Sequence, residues 1–315
     1  MAAQRRVVSL LPSATEIVCA LGAGEELVGI SHECDFPSSV RGLPTLTASR
    51  LSASRPSSAI DRDVREMVRD ALGIYSVDER RLAELAPDLI VTQDLCEVCA
   101  VSLNDVRAAV ARLTERANVQ IVSLRPTRLS HVLADIETVA LALGRPDQGR
   151  ELRRGLEASM AAIAARAAKA PSRPRVASVE WLEPLMLGGT WMPELIELAG
   201  GHALAASAGA LAPTLSLAAF EALEPEVLLI KPCGFTVERT LSERAFIERE
   251  LLPRLPGAGR ARAFVSDGNA FFNRPGPRLL ESLEILAACI HPQLFADFAA
   301  KHDRVLVPLP ARDSD

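Results

Sequence analysis

One pattern of apolar and polar positions occurs at two distant places in the chain. Residues 82–96 read LAELAPDLIVTQDLC and residues 220–234 read FEALEPEVLLIKPCG, at an offset of 138 residues. Each segment is the end of an amphipathic helix, then proline and an acid, then an apolar run, then a polar loop that contains a cysteine. Proline ends a helix and favours an extended residue before it, and the continuous apolar run is typical of a strand buried on both faces. The repeat predicts two similar α/β lobes, with ligand loops at the carboxyl ends of their strands.

Further apolar runs extend this pattern in the first half of the chain. VVSLL at 7–11, LVGIS at 27–31 and DLIVTQ at 88–93 are predicted strands. Residues 13–16, Ser-Ala-Thr-Glu, form a predicted capping box at the start of a helix. Residues 45–63 are rich in Ser, Thr and Arg and are predicted to be an exposed loop.

A long stretch without strand character separates the two halves. Residues 127–170 keep their apolar positions at helical spacing, which favours a rigid helical spine over a flexible Ala-rich linker. We therefore predict an N-terminal α/β lobe at 1–126, the spine, and a C-terminal α/β lobe at 171–315. The predicted fold class is α/β, with two Rossmann-like lobes that contain parallel sheets, joined by a long helical spine, and a ligand cleft between the lobes.

Length and charge limit the functional classes. A chain of 315 residues suits about two domains of ~150 residues each. Its 35 basic and 40 acidic residues predict no basic face for nucleic acid, and no run approaches the ~20 apolar residues of a membrane span. The N-terminus lacks the apolar core of ~7–15 residues of a secretory signal. We expect a cytoplasmic protein without membrane insertion, in which clustered cysteines favour metal, redox or ligand chemistry.

Five motifs then occur in an order that resembles a known family. They are SLLPSATEIVCALGAGEELVGIS, CDFP, LAPDLIV, LGGTWMPELIELAGG and FNRPGPRLLESLEILA. Together they resemble the cobalamin and ferric-siderophore substrate-binding proteins of ABC importers, over nearly the whole chain. The resemblance implies two Rossmann-like lobes joined by one long helix and a small-molecule metal chelate in the cleft. Cobalamin or another corrinoid is the first expectation for the ligand.

The resemblance also implies which loops line the cleft, since they follow corresponding strands. Large aromatic side chains there can pack on a flat corrin ring, although the same residues can equally belong to the core. The predicted ligand-binding residues are His32, Cys34, Phe36, Gln93, Cys96, Cys99, Trp181, Trp191, Cys233, Phe271, Phe272, Asn273 and Arg274.

The residues at the positions implied to dock on a permease differ from those of that family. The resemblance implies an exposed glutamate on each lobe, which docks on arginines of the membrane permease. At the corresponding positions this chain has Arg80 and Ala218, with Glu79 and Glu221 nearby. We therefore expect permease docking to be doubtful and the protein not to be a standard importer component.

The cysteines of the cleft loops are the second difference from that family, and three interpretations of them stay open. Thiolates in the cleft loops can hold a metal such as zinc at ~2.3 Å or an iron–sulfur cluster. They can form a redox pair in the C-x-x-C motif, or simply line the pocket. If LVGIS and DLIVTQ are neighbouring strands, the loops that follow them meet at one edge. The residues concerned are Cys34, Cys96, Cys99 and Cys233, whereas Cys19 and Cys289 lie in helices and are predicted to be structural.

No catalytic motif is present in the sequence. It lacks a G-x-S-x-G elbow, an H-E-x-x-H pair and a P-loop. We therefore expect a binding protein for a corrinoid or another metal chelate rather than an enzyme. The alternative is a cytosolic metal-binding, iron–sulfur or redox protein, or an enzyme, that uses the cysteine-lined cleft.

Overall fold

A computed structural model describes residues 5–49, 55–69, 75–93, 119–257 and 261–310. The chain divides into two compact units. Unit 1 comprises Met1–Arg55, Ala59–Pro126 and Ser130–Gly155, and unit 2 comprises Pro56–Ser58, Thr127–Leu129 and Leu156–Asp315. Among the described residues, no helix has the length and apolar character needed to cross a membrane. The domain boundaries at 126 and 170 stay a prediction.

Unit 1 has a parallel four-stranded sheet in the order β2-β1-β5-β6 and a two-stranded antiparallel sheet of β3 and β4. Its middle strands are fully buried, as the apolar runs predicted, with Val7 and Ile90 both at 0% exposure. The elements that lie mainly in unit 1 are β1 Val7–Ser9, α1 Pro12–Ala20, β2 Leu27–Ile30, β3 Thr47–Ser49, α2 Ser57–Arg69, β4 Tyr75–Val77, α3 Glu79–Leu85, β5 Leu89–Gln93, β6 Gln120–Leu124 and α4 Leu129–Ala142. The next helix, α5 Pro146–Ala167, begins in unit 1 and ends in unit 2.

Unit 2 has a second mainly parallel sheet, in the order β12-β11-β10-β7-β8, with β9 paired to β7. The central β10 pairs in parallel with β7 and β11, whereas β12 and β8 are antiparallel. The elements are β7 Arg175–Trp181, β8 Met186–Leu187, α6 Met192–Leu198, β9 His202–Ala203, α7 Leu217–Glu221, β10 Val227–Ile230, α8 Val237–Leu241, α9 Arg244–Phe246, β11 Arg262–Ser266, α10 Leu279–Ile290, α11 Ala296–Lys301 and β12 Leu306–Leu309.

The internal repeat is confirmed at the level of backbone conformation. α3 and α7 each begin after a side-chain cap, in which Asp78 accepts from Arg81 N and Ser216 accepts from Ala219 N. Both turns that follow contain a non-glycine residue with positive φ, Ala86 at 41° and Glu224 at 44°. Asp78 and Ser216 are separated by the repeat offset, and so are Ala86 and Glu224. The chain therefore enters and leaves the two helices in the same way.

The acid of each repeat also has the same role. Asp88 Oδ2 accepts from Arg6 N at 2.9 Å, just before β1. Glu226 Oε2 accepts from Arg175 N at 2.8 Å, at the start of β7. Each carboxylate therefore satisfies a backbone donor at the beginning of the adjacent parallel strand and fixes the register of the strand pair.

Several local predictions are wrong. α1 begins at Pro12 and has no side-chain cap, because proline occupies its first turn and Ser13 is buried inside the helix. Residues 45–63 are not a continuous loop, since β3 and the start of α2 lie within them. The predicted spine contains two helices, α4 and α5, separated at Gly144, which has φ +73°. The antiparallel edge strand β12 was not predicted.

Candidate functional site

The carboxyl ends of β7, β10 and β11 form one edge of the unit 2 sheet. The hydrogen-bond ladder continues beyond the strands, because Lys231 N donates to Val179 O and Cys233 N donates to Glu180 O, both at 3.0 Å. Open α/β sheets bind ligands at the carboxyl ends of their strands. We call this candidate site the unit 2 edge and define it as residues 180–181, 231–235 and 267–274.

A buried lysine lies at the centre of the unit 2 edge. The Lys231 side chain is 0% exposed, and its Nζ lies 3.0 Å from Asn273 Oδ1 and 3.4 Å from Glu180 Oε2. The Glu180 side chain keeps 29% exposure. The Lys231 ammonium also lies 5.9 Å from the centroid of the Phe272 ring. Burial of an ammonium group is costly unless hydrogen bonds and an opposite charge compensate it, and here both are present.

The loop at 267–274 is held by Trp191 and by α10. Trp191 Nε1 donates to Phe272 O at 2.8 Å, and Phe272 N donates to Ser282 Oγ at 2.9 Å. Phe272 has φ +65° and no exposed surface. A bulky residue with this backbone conformation is strained and persists because its surroundings determine it. The rings of Trp191 and Phe272 therefore face the interior of unit 2, and their predicted contact with a ligand stays a prediction.

The other predicted aromatics of unit 2 differ in exposure. Trp181 is half-buried at the end of β7, and its ring centroid lies 5.2 Å from that of Phe235. Its Nε1 is buried and has no hydrogen-bond acceptor among the residues that the structure describes. Phe271 is buried under Arg278, whose guanidinium carbon lies 4.5 Å from the ring centroid. Trp181 is therefore the predicted aromatic of unit 2 that offers surface at the edge.

The remaining predicted residues of unit 2 lie on the same edge. Cys233 and Asn273 are half-buried. Arg274 is buried, and its Nη2 donates to Asn269 Oδ1 at 3.1 Å. The structure therefore brings these polar residues together with Trp181.

The acids of α10 lie behind the 267–274 loop. Burial raises the pKa of Glu281. Burial also acts to raise the pKa of Glu284, but hydrogen bonds from His302 and Lys301 outweigh it and hold this pKa below its ordinary value. The contacts are 2.7 Å from His302 Nε2 and 2.6 Å from Lys301 Nζ. These pairs anchor α11 to α10 and support the helix that holds the loop.

Unit 1 has a corresponding edge at the ends of β2 and β5. His32 is exposed, but its Nδ1 lies 2.7 Å from Thr47 Oγ1, which in turn donates to Ser31 Oγ at 3.0 Å. Phe36 is 43% exposed, which is unusual for a large aromatic side chain. Gln93 is buried at the last position of β5. The hydroxyl of Thr47 thus fixes the orientation of the imidazole.

The predicted adjacency of β2 and β5 is wrong, because β1 lies between them and pairs with both. Cys34 is buried, and its Sγ lies 3.1 Å from Thr15 Oγ1 on α1. Cys96 and Cys99 lie outside the described residues. The geometric reason for expecting the three sulfurs together is therefore lost, and the cysteine metal site stays a prediction. Within the described ranges, no group of three or more His, Cys, Asp or Glu residues is arranged to hold a metal ion.

Sequence reasoning did not identify Lys231 as a site residue, although the cleft loops implied by the family resemblance include Glu180. A signal was present, since Lys231 aligns with Gln93 in the internal repeat and both follow the apolar run of a buried strand. Both side chains are buried polar groups at a carboxyl strand end. A polar residue at this repeated position, at the carboxyl end of a largely apolar strand, indicates an edge site.

Comparison with known proteins places this fold in a family. A model of the family described as "Periplasmic binding protein" matches residues 7–268. The vitamin B12-binding protein of Yersinia pestis (strain Pestoides F) is 24% identical over 288 residues, which cover 88% of this chain and 83% of that protein.

Solved structures share the fold over nearly the whole chain. The periplasmic heme-binding protein RhuT from Roseiflexus sp. RS-1 has a TM-score of 0.67 at 24% identity, over 94% of this chain and 100% of that one. The periplasmic vitamin B12-binding protein BtuF of Vibrio cholerae has a TM-score of 0.64 at 18% identity, over 91% and 98%. The predicted α/β class and family are confirmed, and the chain belongs to the periplasmic binding protein family.

Proposed function

We propose that this protein is a substrate-binding protein for a corrinoid such as cobalamin. The observation that carries the proposal is the likeness to a vitamin B12-binding protein over most of both chains. Solved relatives that bind heme share the fold, so the broader ligand class is a flat metal chelate with a polar periphery. The proposal needs a surface that offers both an aromatic face and hydrogen-bonding groups.

The unit 2 edge has the composition that such a ligand requires. Trp181 is half-buried and packs against Phe235, so its ring is fixed and can bury apolar ligand area with few rotors left to freeze. Asn273, Cys233 and the partly exposed Glu180 side chain provide polar groups beside it. In unit 1, the exposed His32 and Phe36 are the corresponding candidates.

Calorimetric titration with cyanocobalamin and with hemin tests the proposal. We expect saturable binding of cyanocobalamin. Trp181→Ala should weaken it by ~1–3 kcal/mol, as expected for an anchoring aromatic. Phe298→Ala is the matched control, because Phe298 is also half-buried and stacked on another ring, Phe295 at 5.4 Å, but lies on α11. Absence of binding to both chelates would refute the proposal.

The thiolate alternative depends on Cys96 and Cys99, and metal analysis of the purified protein decides it. Stoichiometric zinc or iron that is lost in a Cys96→Ser/Cys99→Ser variant would favour that alternative. A protein that carries no metal but binds cyanocobalamin would favour the corrinoid proposal.

The comparisons give no support to our expectation that the protein is not an importer component. We include transport by a permease in the proposed function. Stimulation of the ATPase of a reconstituted importer by the loaded protein would support it.

The cytoplasmic location stays a prediction, and cell fractionation with an antibody against the native protein tests it.

A further inference from the structure

Lys231 is more deeply buried than Glu180, its ion-pair partner. The ammonium group has no exposed surface, whereas the Glu180 side chain, 3.4 Å away, is 29% exposed. A ligand at the edge can therefore contact the Glu180 side chain but not the cation. Truncation of one member of such a pair is costly because it leaves the other charge uncompensated.

The chain provides a specific space for this ammonium group. A Cβ atom at Gly188 would lie 3.3 Å from Lys231 Nζ and 2.9 Å from Met192 Cγ. The absence of a side chain at Gly188 therefore gives the lysine its room. From this position the Nζ contacts the side chains of Glu180 and Asn273.

Asn273 connects the lysine to the 267–274 loop. Its Oδ1 accepts from Lys231 Nζ at 3.0 Å, and its Nδ2 donates to Gly268 O at 2.8 Å. Gly268 itself cannot carry a side chain, since a Cβ there would lie 2.1 Å from Pro232 O. Lys231 thus joins the ends of β7 and β10 to the loop that follows β11.

We propose that Lys231 is a positioning residue that directs the Glu180 carboxylate toward a bound ligand and so selects the chemical class of that ligand. The inference rests on the proposed function. A fixed carboxylate accepts strong hydrogen bonds from N–H donors and repels other carboxylates. The edge therefore favours a chelate whose periphery carries carboxamides, as corrinoids do, over one that carries carboxylates, as heme does.

The test compares affinities for cyanocobalamin and hemin in the full-length protein. We expect the wild type to prefer cyanocobalamin. Glu180→Gln should lower the affinity for cyanocobalamin about tenfold, as for loss of a hydrogen bond to a charged group, and should reduce the preference. Lys231→Met should reduce the preference to a similar extent although the lysine does not reach the ligand, and Lys231→Arg should restore part of it. The double variant should lose little more than either single variant, because the residues act as one unit.

Controls separate selection from a general loss of structure. Glu221→Gln is the matched control, because the Glu221 side chain is 62% exposed and lies on α7, before β10, so both affinities should stay unchanged. If Lys231→Met does not fold, Lys231→Gln removes the charge while it keeps a hydrogen-bonding group. An unchanged ratio of affinities in a folded Lys231 variant would overturn this inference alone. A wild type that binds neither chelate would overturn the proposed function and this inference with it.

Discussion

Asp135 gives the sharpest stability prediction, because it is a half-buried carboxyl group on the inward-packed helix α4. Its Oδ2 atom is buried and has no hydrogen-bond partner among the residues that the structure describes. Burial raises the pKa of Asp135 from 3.8 to about 7. The perturbation is Asp135→Asn, which keeps the shape of the side chain and removes its ionisation.

The sign of the effect follows from proton binding. A pKa that is higher in the folded state means that folding takes up a proton between the two pKa values. The stabilising contribution of protonated Asp135 is therefore fully present below about pH 4 and is lost as the pH rises through about 7. Each pH unit in this window corresponds to ~1.4 kcal/mol. Because the group is partly exposed, screening reduces the effect, and we expect the wild type to lose about 1–2 kcal/mol relative to Asp135→Asn between pH 5 and pH 8.

Urea denaturation of both proteins at pH 5 and pH 8 measures this difference, since other titrating groups cancel in the comparison. Carbon NMR of the labelled Asp135 carboxyl group gives its pKa directly. Asp147→Asn is the control, because the Asp147 side chain is 87% exposed and should show no such pH-dependent difference. An Asp135 carboxyl group that titrates near pH 4, or a stability difference that does not grow with pH, would refute the reasoning.

Further predictions concern the edge loop and the repeat. Phe272→Ala should lower the free energy of unfolding by ~3–5 kcal/mol, because the ring is fully buried. Phe36→Ala should change it by no more than ~0.5 kcal/mol, because Phe36 is exposed. Equal losses of stability in thermal or urea unfolding would contradict the assignment of Phe272 to the core and Phe36 to the surface. Trp191→Phe should lower the free energy of unfolding by ~1–3 kcal/mol, because the hydrogen-bond donor to Phe272 O is lost. Amide exchange in the 267–274 loop at the wild-type rate would argue against the role of Trp191 in holding this loop. Asp88→Asn and Glu226→Gln should each destabilise the start of the neighbouring strand by ~1 kcal/mol. Amide exchange at Arg6 N and Arg175 N measures this loss. An effect in one repeat alone would show that the two acids are not equivalent.

Features encoded by neighbouring residues were predictable from the sequence. The repeated helix, proline, acid and apolar strand at 82–96 and 220–234 fold alike, because proline, a polar cap and a continuous apolar run act over a few residues. The α/β class followed from that repeat, and the family followed from motif order. Helices in the middle of the chain followed from helical apolar spacing, although the break at Gly144 did not.

The order of strands and the direction of side chains were decided only by the tertiary structure. β1 separates β2 from β5, so the cysteine loops that were expected to meet at one sheet edge do not follow neighbouring strands. Phe272 reads as a loop aromatic, yet three-dimensional contacts with Trp191 and Ser282 turn its ring inward. Lys231 follows four apolar residues and reads as the end of a strand. Its role depends on the space at Gly188 and on Asn273, 42 residues later, because burial of a charge is decided by partners that only the folded chain brings together.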